Sequence, residues 1–283
     1  MKKRVTNTFI KWPGGKKWLI PLLLNICPQQ FGTYYEPFLG GGSVYFALEP
    51  KQAVISDINA ELINLYQIMR DEPQKLAELM LEHQRFHNSQ YYYKVRMQIP
   101  EDKIKQAART LYLNRTCFNG MYRVNKAGRF NVPIGTKKNC AYDIETFTDI
   151  SKKLVDAQIF CCDFAQSIQK AGMGDLIFVD PPYTVAKNQD AFIKYNQKLF
   201  EWTDQVRLFD ELNEAKKRGS YIVLTNVKHN TIEEMYKKEG YYVKTLERTS
   251  NIAGKVDKRG IVKELIITSF EWRNTSDKNR IDK

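Results

Sequence analysis

Asp180-Pro181-Pro182-Tyr183 sets a carboxylate, two prolines and an aromatic ring in consecutive positions. The prolines remove two N–H donors and stiffen the chain. What remains is acceptor-rich: one carboxylate and a run of carbonyls beside a flat ring. Such a group suits an exocyclic amine on a planar heterocycle. The amine donates to the Asp180 carboxylate and the Pro181 carbonyl, and the ring stacks on Tyr183. Those bonds would turn a delocalised nitrogen lone pair toward in-line attack on a sulfonium methyl. The plainer reading is a Pro-Pro turn after a core strand.

A second segment, Pro37-Phe38-Leu39-Gly40-Gly41-Gly42-Ser43, lies between Tyr34-Tyr35-Glu36 and Val44-Tyr45-Phe46-Ala47. A strand, a glycine turn and a helix start form a nucleotide-binding turn, because glycine lets a ligand approach the backbone. Asp57 follows after another apolar run, where a carboxylate can bind ribose hydroxyls. The spacing departs from Gly-x-Gly-x-x-Gly, since position 45 is Tyr. A nicotinamide-dependent oxidoreductase is disfavoured on that ground.

These groups need elements that aim them. Val54-Ile55-Ser56-Asp57, Leu176-Ile177-Phe178-Val179-Asp180 and Tyr221-Ile222-Val223-Leu224-Thr225-Asn226 read as buried parallel strands with polar carboxyl ends. Late strands at 241–243 and 265–270 suggest an antiparallel hairpin at one sheet edge. Helices are expected over 60–69 and 203–217, the latter with Thr203 as N-cap. The alternation implies a doubly wound α/β sheet with ligands at the carboxyl ends of its strands. Residues 71–153 differ in character. They carry helical patterns at 75–86 and 104–114. A hairpin is then expected over 120–133, turning at Asn125-Lys126-Ala127-Gly128. The expected division is therefore 1–70 and 154–272 for the sheet domain, 71–153 for an insertion and 273–283 for a polar tail. The segment 184–202 after the Asp-Pro-Pro-Tyr loop is expected to be a mobile lid ordered by its ligands.

The 283 residues carry 44 Lys and Arg against 32 Asp and Glu, a net charge of +12 that favours a polyanionic partner. No apolar run is long enough to span a bilayer, and no secretory signal core follows the basic start. The five cysteines include no Cys-x-x-Cys pair and there are three histidines, so no metal site is expected and reduced thiols in a cytoplasm fit.

Three motifs occur in order: Phe9-Ile10-Lys11-Trp12-Pro13-Gly14-Gly15-Lys16, Pro37-Phe38-Leu39-Gly40-Gly41-Gly42 and Asp180-Pro181-Pro182-Tyr183. Together they resemble the Dam and DpnM group, the alpha class of adenine-N6 DNA methyltransferases, over nearly all of 8–272. The resemblance implies a Rossmann-like class I methyltransferase sheet carrying an inserted, mainly helical DNA-recognition domain with a β-hairpin. It implies methyl transfer from S-adenosyl-L-methionine to N6 of an adenine flipped out of duplex DNA, within GATC. It gives Trp12, Lys16, Phe38, Gly40, Gly42, Asp57, Asp163, Phe164 and Asp180 to the cofactor. Asp163 would meet the cofactor adenine's amino group and Phe164 would pack on its ring. The alternative role for Asp163 is a helix N-cap.

The same resemblance gives Lys11, Phe118, Asn119, Met121, Arg123 and Pro133 to DNA. Lys11 and Arg123 would read guanines, with simple phosphate contact as the plainer role. Phe118 and Asn119 would fill the gap left by the flipped base. Thr136 stands where the family carries an arginine, which leaves Lys137 or Lys138 to supply the charge. A monomer is expected, with a cognate restriction endonuclease left open as a separately acting partner. Cytosine-N4 enzymes usually carry Ser in place of Asp180, and a degenerate, non-catalytic DNA-binding domain would not keep the whole constellation.

Overall fold

The computed structural model describes residues 8–125, 127–141, 143–183, 200–249 and 261–272. The expected lid over 184–202 lies mostly outside them, as do Lys126 of the expected turn and the tail 273–283. Among the described residues the seven strands β1 (Tyr34–Glu36), β2 (Ala53–Asp57), β3 (Ala157–Cys161), β4 (Leu176–Val179), β5 (Tyr221–Val227), β6 (Tyr242–Thr249) and β7 (Ile261–Thr268) take the order β3-β2-β1-β4-β5-β7-β6, the mixed α/β sheet the sequence implies. The chain divides into two compact units, Met1–Pro21 with Leu39–Cys162, and Leu22–Phe38 with Asp163–Lys283.

In the first unit β2 (Ala53–Asp57) runs parallel to β3 (Ala157–Cys161), with Asp57 in register with Cys161. After α1 (Ile20–Ile26) in chain order, helix α2 (Ser43–Leu48) follows the glycine loop, and α3 (Ala60–Asp71) follows β2. Asn59 caps α3 by accepting from the Leu62 amide at 3.0 Å. Pro73, at the first position of α4 (Pro73–Phe86), needs no amide donor there and opens a new helix directly after α3. Then come α5 (Ser89–Met97), α6 (Lys103–Thr116) and α7 (Ile144–Leu154), capped by Asn88, Asp102 and Asp143. Phe9, Phe46 and Tyr66 pack edge to face and stacked in the core beneath the glycine loop, each nearly fully buried.

The expected hairpin is narrow: Val124 and Phe130 form a single antiparallel bridge. Its turn is closed by the Gly128 amide on the Asn125 carbonyl at 3.0 Å. The Asn125 side chain also accepts from Ala127 and Arg129. Across the hairpin the Arg129 carbonyl accepts from the Asn125 amide at 2.8 Å and the Arg123 carbonyl from the Asn131 amide at 3.1 Å.

In the second unit β1 (Tyr34–Glu36), β4 (Leu176–Val179) and β5 (Tyr221–Val227) are parallel. β6 (Tyr242–Thr249) and β7 (Ile261–Thr268) form the expected antiparallel edge pair, with β7 against β5. All four residues of β4 are buried, as an apolar run between two strands requires. Helix α8 (Phe164–Ile168) follows β3, and α9 (Trp202–Lys217) precedes β5; α10 (Asn230–Lys238) leads to β6. One helix boundary differs from expectation. Glu201, not Thr203, is the N-cap of α9, because Glu201 and Asp204 form a reciprocal capping box that satisfies two backbone amides.

Candidate active site

Each candidate acid follows the carboxyl end of a parallel strand, where backbone pairing ends and side chains are free to meet a ligand. Asp57 closes β2, and both its oxygens are used. Oδ2 accepts from the Gly40 amide and Oδ1 from the Asn59 amide, each at 3.0 Å. Burial pushes its carboxyl above the usual range, while the Asn59, Gly40 and Ile58 amides pull it back. With three amides on it, the carboxylate keeps one of its roughly four lone pairs for a hydroxyl donor. Asp57 therefore ties the glycine loop to β2 and can still accept from a sugar.

The loop itself requires glycine. Gly40 and Gly42 have φ of +48° and +62°. A Cβ on Gly40 would stand 2.8 Å from Trp12 Cδ1, and one on Gly42 would stand 2.8 Å from the Tyr66 hydroxyl. Trp12 lies against the loop and stacks on Tyr122 at 4.7 Å, an aromatic partner the sequence reading did not single out. Lys16 is 3% exposed, and its Nζ donates to the Gly14 carbonyl at 2.9 Å.

In the second unit, Asp180 directly follows β4. Thr225 on β5 donates its hydroxyl to Asp180 Oδ1 at 2.7 Å. Tyr183 donates its phenol to Glu264 Oε2 at 2.8 Å, and Glu264 on β7 is 2% exposed. Pro181 is buried and Pro182 half-buried between them. Carboxylate and ring are thus pinned by β5 and β7 respectively. Thr225 belonged to the polar end of a strand run visible in the sequence; Glu264 had no such signal.

Asp163 is both the N-cap of α8, accepting from the Ala165 amide at 2.9 Å, and the partner of Arg207. The Arg207 guanidinium holds the Asp163 carboxyl below its usual range. Phe164 stacks on Phe38 at 5.3 Å, with Phe200 at 5.9 Å. Asp163, Phe164 and Phe38 thus form one cluster of a carboxylate and flat rings.

The candidate DNA residues gather in the first unit around the end of α6. Asn114 clamps the Lys11 backbone from both sides, at 3.0 and 2.7 Å. Gly120, φ +64°, lies beneath the Lys11 side chain. Phe118 is 51% exposed, although its amide is fixed by the Pro133 carbonyl at 2.9 Å. Asn119 sits in the left-handed region at φ +56°, a conformation Asn tolerates better than most residues. Arg123 is exposed and braced across the hairpin by Asn131 Oδ1 at 2.8 Å. Met121 is half-buried; Pro133, Lys137 and Lys138 are exposed. Partial burial, then the nearby charges of Arg115 and Lys11, lower the Lys137 ammonium. Cations held this close favour an anion among them. Burial pushes the thiols of Cys117 and Cys140 up to about 11 and that of Cys27 up to about 12, which disfavours their thiolate forms.

Among the described residues, no helix is long and apolar enough to cross a membrane. Solved structures resemble the chain weakly: a precorrin-6y C5,15-methyltransferase from Geobacter metallireducens matches at TM-score 0.41 and 12% identity. That match covers 93% of this chain and 94% of that one. Sequence relatives match far better. A type II methyltransferase, M1.LlaDCHI from Lactococcus lactis subsp. cremoris, is 37% identical over 93% of this chain and 95% of its own length. A DNA N-6-adenine-methyltransferase of Escherichia phage P1 is 33% identical over 92% of this chain, which spans 35% of that longer protein. A DNA adenine methylase of Vibrio cholerae is 29% identical over 94% and 96% of the two chains. Residues 12–250 match the D12 class N6 adenine-specific DNA methyltransferase family. The chain belongs to that family of S-adenosylmethionine-dependent enzymes, which methylate adenine in DNA.

Proposed function

We propose that this chain methylates N6 of an adenine flipped out of duplex DNA, within GATC. The observation that carries the chemistry is the double anchoring of the Asp-Pro-Pro-Tyr loop, Asp180 by Thr225 and Tyr183 by Glu264. A base inside the stack cannot present N6 to such a loop, so extrusion is required. Tyr183 offers a fixed ring for the base. Asp180 and the Pro181 carbonyl accept the two N6 hydrogens, which directs the nitrogen lone pair outward. When bound, S-adenosylmethionine supplies an electrophilic sulfonium methyl and leaves as a neutral thioether. Asp180 then holds the proton that N6 sheds. No protein nucleophile takes part.

The residues fit such a donor. Asp57 and the left-handed glycines Gly40 and Gly42 suit its ribose and methionine parts, with Trp12, Lys16 and Phe38 as further lining. Asp163 and Phe164 suit its adenine. For the DNA we assign Lys11 and Arg123 to guanines and Met121 and Pro133 to pyrimidine edges. Phe118 and Asn119 fill the vacated stack, and Lys137 and Lys138 stand in for the charge that Thr136 lacks. We take residues 71–153 as the recognition domain and 1–70 with 154–272 as the catalytic domain. The enzyme acts as a monomer in the cytoplasm and needs no endonuclease partner for turnover. Incubation with duplexes that differ only within the tetranucleotide tests the specificity. N6-methyladenine confined to GATC supports it, and equal methylation of altered sites refutes it.

A further inference from the structure

We propose that Arg207 is an additional residue of the cofactor site: its guanidinium makes the contacts of the cofactor's adenine and must swing aside for an adenosine-bearing ligand. This rests on the reading of Asp163 and Phe164 as the adenine subsite. Arg207 Nη1 and Nη2 donate to Asp163 Oδ1 and Oδ2 at 2.7 and 2.9 Å. Its Cζ stands 4.2 Å from the centroid of the Phe164 ring. A flat group that stacks on Phe164 and donates N–H to Asp163 is what adenine, with its exocyclic amine, would present there. The guanidinium reproduces both contacts at once.

The two occupants exclude one another. Asp163 Oδ1 already accepts from the Ala165 amide as well as from Arg207, which uses both of its lone pairs. Phe164 is 5% exposed, with Phe38 stacked on it and Phe200 close by. Of these neighbours Phe200 is buried and Phe38 half-buried, whereas the Arg207 side chain is 44% exposed. Arg207 is therefore the cover that can leave. Its alternative partner is in place: Asp204, one turn earlier on α9, already accepts from Nη2 at 3.2 Å. Pairing with Asp204 alone would free both the ring face and a lone pair on each Asp163 oxygen.

An exposed bidentate pair of this kind should weaken adenosine binding by roughly 2–5-fold. The test uses the full chain, with adenosine and S-adenosylhomocysteine as probes, titrated by calorimetry at low and moderate salt. Arg207→Met keeps an apolar stem on an exposed helix face and removes the competitor. It should tighten both probes by that factor. Salt should strengthen adenosine binding to the wild type by screening the Arg207–Asp163 pair, and this effect should vanish in Arg207→Met. Weaker or unchanged affinity in Arg207→Met would overturn the proposal and make Arg207 a supporting residue or a bystander. Asp163→Asn, placed in the Arg207→Met background where no competitor remains, separates the two levels: it should weaken both probes relative to Arg207→Met if the adenine reading holds. If the double variant binds both probes as Arg207→Met does, the adenine assignment itself falls, and the role of Arg207 with it.

Discussion

The Thr225 hydroxyl donates to the Asp180 carboxylate at 2.7 Å, across the pairing of β5 with β4. One of the two oxygens on the loop's only acid is therefore oriented by the sheet. Thr225→Val keeps the shape and removes the donor. A hydrogen bond to a charged group contributes about 1.5–3 kcal/mol, so kcat should fall roughly 10–100-fold. S-adenosylhomocysteine affinity should change little, and Thr225→Ser should recover most of the rate. Single-turnover kinetics read both; an unchanged rate in Thr225→Val would show that Asp180 needs no such support.

Tyr183 and Glu264 form a second anchor, and here the risk lies with stability. Tyr183→Phe keeps the ring for stacking but removes a donor from a carboxylate that is 2% exposed. Losing a partner in such a place costs about 1–3 kcal/mol. Urea unfolding should show that loss in Tyr183→Phe, and kcat should drop less than in Tyr183→Ala, which also removes the stacking surface. Equal kcat in the two variants would argue against a stacking role.

Gly40→Ala tests the cofactor loop. The added Cβ meets both a left-handed φ of +48° and Trp12 Cδ1 at 2.8 Å, so Trp12 or the loop must shift. The Gly40 amide would then be pulled from Asp57. S-adenosylhomocysteine affinity should fall at least about tenfold, the equivalent of one lost hydrogen bond to a charged group. Calorimetry showing native affinity would place the cofactor away from this loop.

His83 gives the fold a pH dependence. Burial lowers its pKa from 6.5 to about 4, and it stacks on Tyr112 at 4.6 Å. The unfolded chain therefore binds a proton between those values that the folded chain does not, so stability falls as pH drops from 6.5 toward 4. The loss should reach about 1–2 kcal/mol by pH 5 relative to pH 7. Urea denaturation at the two pH values measures it, and His83→Phe should flatten the slope. An equally steep slope in His83→Phe would assign the effect to other groups.

The strands that carry Asp57 and Asp180 were legible because buried parallel strands are unbroken apolar runs, and each run ends on its acid. The helix expected over 60–69 was legible in the sequence and runs on to Asp71, but its Asn59 cap was not singled out. The cap of α9 was not, because Glu201 acts only together with Asp204, a pairing that Thr203 masks in a residue-by-residue reading. Thr225 lay in sight at a strand end, yet its bond to Asp180 is a contact between strands 45 positions apart. Arg207 and Glu264 could not be read at all, since their partners Asp163 and Tyr183 are distant in sequence and nothing local marks the pairing. The motif residues themselves were visible; the groups that hold them were not.

The most direct measurement is transfer of labelled methyl from S-adenosylmethionine to duplex DNA containing GATC, with the products separated as nucleosides, for the wild type and Asp180→Ala. The account predicts label in N6-methyladenine for the wild type and none for Asp180→Ala, with DNA affinity largely retained in the variant. Label in a cytosine, or undiminished transfer by Asp180→Ala, would contradict it.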